Sequence, residues 1–335
     1  MRIDRCWWIA VGTVALAAAC AGSRESETLR ASEGRIESAP VLGQRFERSF
    51  AWGQGQDQFR RTPSVPESVV QGPNAVAVTS DGRPLVLDRL AGRVVSLDAV
   101  SPLRGVATVS VDSEDLAAGT DGTWLAFSPL RARASVFDAD GKSLGELLVP
   151  RELRDGVGFD IGISRRVRLR TGYQEVIELG SPSAPLPLPV ALRTKREGAY
   201  QLADGRGVAV RATDAGASLV LVSQPADEAA RSEIEKEIPL PGAPTAARVV
   251  GGQGNVVCLK SESVSSAPAL SVSRRASCVD VATGTVVFDE ALPAPGLYVP
   301  RTEVAFGAGR LAFIHPTEKG LTVTSVAVLG KEVSP

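Results

Sequence analysis

Apolar residues in this chain come in short runs separated by glycine-containing turns. Asn74-Ala75-Val76-Ala77-Val78 is followed by the turn Asp81-Gly82 and then by Leu85-Val86-Leu87-Asp88. Ala91-Gly92 turns the chain again, Arg93-Val94-Val95-Ser96-Leu97-Asp98 follows, and Val106-Ala107-Thr108-Val109 makes a fourth run. Short runs rich in Val and Leu and bounded by Gly predict strands joined as hairpins, and four in succession predict one antiparallel sheet.

The unit recurs. Thr120-Asp121-Gly122-Thr123 precedes Trp124-Leu125-Ala126-Phe127, with Ala134-Ser135-Val136-Phe137-Asp138 and the turn Asp140-Gly141 after it. Turn-plus-strand pairs of the same kind lie at Ile161 to Leu169, Ala203 to Val210, Gly252 to Leu259 and Gly307 to Ile314. This makes six units spaced by roughly 40 to 55 residues, a period that predicts a β-propeller. One four-stranded sheet cannot bury both of its faces, and stacking it on its neighbours around an axis does so. The expected fold is therefore all-β: a six-bladed β-propeller of four-stranded antiparallel blades over residues 41–335, with almost no helix. A two-layer β-sandwich is the alternative, and six regular units argue against it. The last unit, residues 302–329, supplies only about three strands. Arg45 to Trp52 is predicted to come in from the N-terminal side as its outer strand and close the ring.

The first unit also carries a family resemblance. Phe46-Glu47-Arg48-Ser49-Phe50-Ala51-Trp52-Gly53-Gln54-Gly55, Gln58-Phe59, Pro66, Gly72-Pro73-Asn74-Ala75-Val76-Ala77-Val78, Asp81-Gly82, Val86-Leu87-Asp88 and Arg93-Val94-Val95 together resemble an NHL repeat. The likeness covers the first unit well and the second fairly. Beyond about residue 150 only strand spacing is left. The resemblance implies a propeller but no particular function, because such propellers host scaffolds, receptors and enzymes alike.

Before these units the pattern is different. Met1-Arg2-Ile3-Asp4-Arg5 is a short, net positive segment, and an apolar run from Trp7 to Ala19 ends at Ala17-Ala18-Ala19-Cys20. The run is shorter than the roughly 20 residues of a spanning helix. Small residues before a cysteine resemble the lipobox of bacterial lipoproteins, with residues 1–19 as the signal peptide and Cys20 as the lipid-modified N-terminus. An ordinary secretory signal cut after Ala-x-Ala also fits. Ala21, rather than Asp, follows the cysteine, so the resemblance leans towards the outer membrane over the inner, with the protein periplasmic or facing the surface. Residues 20–40 are rich in Ser, Glu and Arg, without periodic apolar positions, and read as a flexible tether.

Composition narrows the function. A net charge of -1 gives no electrostatic footprint for nucleic acid. The 33 Gly and 22 Pro suit many short strands and turns. Of four cysteines, Cys6 leaves with the signal and Cys20 is claimed by lipid, leaving Cys258 and Cys278. In an oxidising compartment this pair is expected to form a disulfide, two buried thiols being the other reading. They lie at equal distances from the centre of the long connection 261–275, near Pro268, so antiparallel pairing sets them opposite one another.

In a propeller the loops between second and third strands open on one face. The expected loops are Asp88 to Gly92, Ser128 to Arg133, Arg170 to Tyr173, Arg211 to Gly216, Lys260 to Ala269 and His315 to Gly320. The candidate binding residues in them are Asp88, Arg89, Arg131, Arg170, Arg211 and His315, with Arg133, Tyr173, Asp214, Lys260, Glu262 and Lys319 beside them. His315 is the only histidine, so no histidine metal cluster can be assembled. It could serve as a general base near the axis, but a strand-end residue beside Pro316 is the blander reading. Calcium-dependent six-bladed lactonases use Glu, Asn and Asp from inner strands, and Asn74, Asp160 and Glu303 are of those types near first strands. Arg166, Arg168 and Arg170 alternate and are expected to share one strand face, as a binding stripe or as a solvated edge. No nucleophile elbow, P-loop or dinucleotide fingerprint is present, and no catalytic residue, metal ligand or cofactor is assigned.

The expected function is a non-enzymatic cell-envelope lipoprotein, held to the membrane by its N-terminal lipid. Its propeller would act as a platform for another envelope protein or an extracytoplasmic ligand, and not for nucleic acid. The alternative is an exported metal-dependent propeller hydrolase of the lactonase kind.

Overall fold

The computed structural model describes residues 43–65, 68–98, 103–153, 156, 158–213, 216–223, 233–265 and 270–330. The expected signal peptide, Cys20 and the tether lie outside the described residues, as do Pro66, Asp214 and Pro268. The described chain forms six antiparallel sheets arranged as a six-bladed β-propeller. Strand β1 (Arg45–Ala51) belongs to the last blade. Blade 1 holds β2 (Ala75–Val78), β3 (Pro84–Asp88), β4 (Arg93–Ser96) and β5 (Arg104–Thr108). Blade 2 holds β6 (Asp115–Ala118), β7 (Trp124–Ser128), β8 (Arg133–Phe137) and β9 (Ser143–Leu148). Blade 3 holds β10 (Gly158–Ile161), β11 (Val167–Arg170), β12 (Glu175–Ser181) and the short β13 (Ala184–Pro185) and β14 (Arg196–Glu197). Blade 4 holds β15 (Tyr200–Gln201), β16 (Gly207–Thr213), β17 (Gly216–Val222) and β18 (Ile234–Pro239). Blade 5 holds β19 (Ala246–Gln253), β20 (Val256–Ser265), β21 (Ser271–Asp280) and β22 (Thr285–Ala291). Blade 6 holds β23 (Val304–Gly307), β24 (Arg310–Pro316) and β25 (Gly320–Ala327), completed by β1.

Burial explains the pattern of runs. The inner strands β2 and β3 are buried at every residue, because blades stack on both of their faces; only Asp88, at the end of β3, is polar. The outer strand β1, RFERSFA, has solvent on one side and alternates exposed with more buried residues. The core is a set of wedges between adjacent blades. Leu125, Phe127, Phe159 and Leu169 fill the space between blades 2 and 3, and Val208, Leu219, Leu259 and Val279 that between blades 4 and 5. First strands of neighbouring blades meet around the axis, β2 against β6 and β23, and β6 against β10.

The ring closes as the missing strand predicts. β1 pairs antiparallel with β25 from Arg45↔Val326 to Ala51↔Gly320. A side chain at position 320 would meet the Phe50 carbonyl oxygen at 2.1 Å, so only glycine lets the N-terminal strand approach. Phe50 is buried there edge-on to Phe59, with ring centroids 5.4 Å apart.

Two blades depart from the sequence reading. In blade 3 the outer position is shared by β13 and β14, which pair with opposite ends of β12, and a helix, α1 (Leu188–Arg193), lies between them. The segment holds Pro182, Pro185, Pro187 and Pro189. Proline has no N–H to give to a ladder, so a continuous outer strand cannot form. In blade 5 the expected connection 261–275 is mostly strand: β20 and β21 stay paired out to Ser265↔Ser271. Cys258 stands directly opposite Cys278 and the two form a buried disulfide, with Cα atoms 4.0 Å apart. The bridge therefore sits at the base of a long paired arm, where a connection was expected. A ladder is built from backbone groups, and Ser and Val do not oppose it.

Candidate functional site

Antiparallel strands place the connections between blades and the loops between second and third strands at one end of the ring. This loop face carries an axial cavity and an exposed apolar rim. The cavity has a volume of about 220 Å³ and is lined by residues of blades 2, 3, 5 and 6, among them Asp115, Phe159, Arg170, Gln174, Arg248 and Thr302.

Three groups of charges surround it. In the first, Asp115 at the start of β6 is buried, and its Oδ1 accepts from Thr302 Oγ1 at 2.6 Å and from the Leu116 N–H at 2.9 Å. Burial pushes its pKa above the ordinary carboxylate range, with the Thr302 hydroxyl and Arg301 pulling the other way. Arg301 Nη1 donates to Glu114 Oε2 at 3.3 Å, and its Nη2 to the Gly156 carbonyl at 2.8 Å. In the second, Glu303 before β23 is held by Arg274 Nη2 at 3.0 Å and by Lys260 Nζ, which also reaches Glu262 at 2.6 Å. In the third are Arg170 and Arg248. Arg170 Nη1 donates to the Val249 carbonyl at 2.8 Å, and its nearest carboxylate oxygen, on Asp160, is 4.0 Å away. Arg248 forms no ion pair among the described residues, and desolvation lowers its pKa.

The residues singled out in the sequence divide between rim, axis and framework. Asp88 is fully buried at the end of β3, where Arg93 Nε donates to its Oδ2 at 3.1 Å. Desolvation raises its pKa against the opposing pull of Arg93. Arg93 also donates to the Gln58 carbonyl, so this pair ties blade 1 to the segment that follows β1. Asp88 is thus framework and not an open ligand. Arg131 is exposed and donates to Asp112 at 3.0 Å, and Arg211 lies 3.6 Å from Glu237, both away from the axis. Arg89 is half-buried, 4.0 Å from Glu114. His315 is near the Glu303 group, and its pKa is lowered by burial first and then by Arg274, with Glu303 opposing.

The basic run of blade 3 is not on an edge strand; Arg168 and Arg170 share one face of β11, and Arg166 precedes the strand. β11 is an interior strand between β10 and β12. Arg166 turns outward to Glu178 at 2.7 Å, while the Arg170 side chain is largely buried at the cavity. The positions suggested for a calcium-type cation are otherwise engaged. Asn74 donates to the Glu114 carbonyl and accepts from the Arg301 N–H, Glu303 is held between two cations, and Asp160 faces Arg170. Among the described residues no group of three or more His, Cys, Asp or Glu is placed to hold a metal ion. Asp115, Arg248, Arg274, Arg301 and Thr302 were missed in the sequence. Their only signal is a charge or hydroxyl at or near the edge of an apolar strand.

The rim is apolar. Val69, Val111, Leu130, Tyr173, Leu270 and Val299 are exposed there, Leu130 by 81% and Tyr173 by 89%. The turns at the opposite end include Asp81-Gly82, Asp121-Gly122, Asp140-Gly141 and Asp204-Gly205, which are polar. No helix among the described residues is long and apolar enough to cross a membrane.

No protein-family model matches the chain, and no curated protein matches it. Solved structures with a similar fold include a streptogramin B lyase, 13% identical with a TM-score of 0.43, over 84% of this chain and 98% of that one. Another is the PQQ-bound aldose sugar dehydrogenase from Streptomyces coelicolor, 13% identical with a TM-score of 0.44, over 86% of this chain and 100% of that one. A third is BamB from Moraxella catarrhalis, 11% identical with a TM-score of 0.35, over 83% and 98%. Similarity at this level carries no information about activity.

Proposed function

We propose that this protein is a non-enzymatic cell-envelope lipoprotein whose propeller presents its loop face as a binding platform. The partner is another envelope protein or an extracytoplasmic ligand. The observation that carries this reading is the set of exposed apolar side chains at the loop face, Leu130 and Tyr173 the most exposed of them, where the opposite end has polar Asp-Gly turns. Aromatic and aliphatic anchors around a polar centre are what a protein interface offers a partner, and contiguous apolar surface marks such sites. The Cys258–Cys278 disulfide suits an oxidising compartment, and the Cys20 lipobox likeness suits a lipid anchor. The NHL-like first unit fits a platform as well as it fits an enzyme. Against the hydrolase alternative, Glu303 would have to leave Lys260 and Arg274 to bind a cation.

The test is site-specific photocrosslinking in intact envelopes, with the probe at Tyr173 or Leu130 on the loop face and at Asp140 on the opposite end. The platform reading expects one discrete crosslinked species from the loop-face positions and none from Asp140. Equal crosslinking from both ends, or none from the loop face, contradicts it.

A further inference from the structure

We propose that the axial cavity is a receptor for a small organic anion bearing a hydrogen-bond donor next to its charge, a hydroxycarboxylate being the class that fits. The inference rests on the binding-module reading and gives that module a ligand class.

Three charged groups with unused hydrogen-bonding capacity converge on the cavity. The first is Arg248. Its guanidinium lines the cavity, and its one hydrogen bond among the described residues is a 3.5 Å contact from Nη2 to the Arg301 carbonyl. A guanidinium carries five donors, and removing it from water without an anion is costly. The second is Arg170. Backbone carbonyls of Val249 at 2.8 Å and Phe159 at 3.5 Å hold its two terminal nitrogens, while Nε is buried with no hydrogen-bond partner among the described residues and lies 4.0 Å from Asp160 Oδ2. The guanidinium is thereby fixed in place by blades 3 and 5 before any ligand arrives, and preorganised planar donors suit a carboxylate. The third is Asp115. Thr302 and the Leu116 N–H occupy its Oδ1, while its buried Oδ2 has no hydrogen-bond partner among the described residues and lies 4.0 Å from Arg301 Nε.

Together these define a ligand. Two guanidinium forks, Arg248 with no ion pair among the described residues and Arg170 with its nearest carboxylate oxygen 4.0 Å away, favour an anion. An orphaned acceptor calls for a donor, so a bare halide leaves Asp115 unsatisfied while a hydroxyl beside a carboxylate serves both sides. Two guanidinia repel a metal cation. The cavity of about 220 Å³ falls short of the roughly 300 Å³ at which sites for drug-sized ligands begin, which excludes a nucleotide or an oligosaccharide within it. Phe159, Val249 and Val304 supply the apolar wall such a site needs.

Calorimetry and thermal-shift titration of the purified exported protein test this. The probes are L-lactate and L-malate, propionate as a carboxylate without the hydroxyl, lactamide as the uncharged match, and inorganic phosphate. Wild-type protein is expected to bind a hydroxycarboxylate one to one, propionate about tenfold more weakly, and lactamide not at all. Arg248→Gln is expected to weaken hydroxycarboxylate binding at least about tenfold, and Asp115→Asn to narrow the preference for the hydroxyl. Arg206→Gln, at the opposite end, is the unchanged control. If Arg248→Gln unfolds the protein, Arg248→Lys keeps the charge but loses the fork and is expected to weaken binding in the same direction. No binding of any probe by wild-type protein at about 10 mM overturns the inference, as does binding indifferent to both Arg248 variants. Phosphate binding as well as the hydroxycarboxylates, or lactamide binding as well as lactate, overturns it too. Loop-face crosslinking is independent of this result: crosslinks without anion binding overturn the receptor alone, and anion binding without crosslinks overturns the platform alone.

Discussion

Replacing Glu303 by Gln removes one charge from a buried cluster and decides whether that cluster is framework or a cation site. Glu303 is 3% exposed, Arg274 is 7% exposed, and their closest atoms are 3.0 Å apart. The substitution leaves Arg274 buried without a carboxylate partner, and breaking a buried pair in this way costs about 3–5 kcal/mol. Lys260 keeps Glu262 at 2.6 Å, so the lower end of that range applies, about 3 kcal/mol. For a domain of this size 1 kcal/mol moves the unfolding midpoint by roughly 2 °C, giving a fall of about 6 °C. Urea unfolding of Glu303→Gln, Arg274→Met and the double variant measures it. The double variant should lose less than the sum of the singles, because the stranded charge is gone. A Glu303→Gln variant within about 0.5 kcal/mol of wild type, or strictly additive losses, refutes the reasoning. A chelator should leave the wild-type midpoint unchanged, and a chelator-induced drop returns Glu303 to a metal site.

Other outcomes follow from the same structure. The double variant Cys258→Ser/Cys278→Ser, which opens a 20-residue separation, should lose less than the roughly 3 kcal/mol of the chain-entropy treatment, because the β20–β21 ladder already holds the arm; urea midpoints report it, and a larger loss means the arm depends on the bridge. The folded-state pKa of His315 is depressed, so the unfolded chain takes up its proton first. Stability should fall as pH drops from about 6.5 towards the lowered folded value, and His315→Gln should flatten that slope in pH-dependent unfolding. A slope unchanged by the substitution assigns it to other groups. Intact mass of membrane-extracted protein should show residues 1–19 absent and a diacylglyceryl-type addition on Cys20, and a Cys20→Ala variant that stays membrane-bound contradicts the anchor.

What was legible in the sequence was local or symmetric. The turns between first and second strands could be placed because Gly82, Gly122 and their counterparts punctuate runs that the blades bury almost whole. The ring closure was legible because one unit lacked a strand and Arg45 to Trp52 had a strand pattern with no other partner. The cysteine pair was legible because both residues are equidistant from one hairpin tip. The outer strand of blade 3 was not, because its prolines act by withholding donors while its spacing still looks regular. The axial cavity was least legible. Arg170 meets the Val249 carbonyl 79 residues away, and no local pattern encodes a contact made only when the ring brings blades 3 and 5 together past blade 4. Arg248 and Asp115 are single charges at strand edges, indistinguishable in sequence from solvated ones. Asp88 misled in the opposite sense, since its place beside a polar loop conceals a fully buried ion pair.

The most direct test of the platform is affinity for the partner captured at Tyr173, measured with Leu130→Asp/Tyr173→Asp protein. Both side chains are exposed, so the unfolding midpoint should stay within about 0.5 kcal/mol of wild type. If both are interface anchors worth about 1–2 kcal/mol or more each, binding should weaken by at least about thirtyfold. Unchanged affinity with an intact fold contradicts the claim that the loop face is where this protein meets its partner.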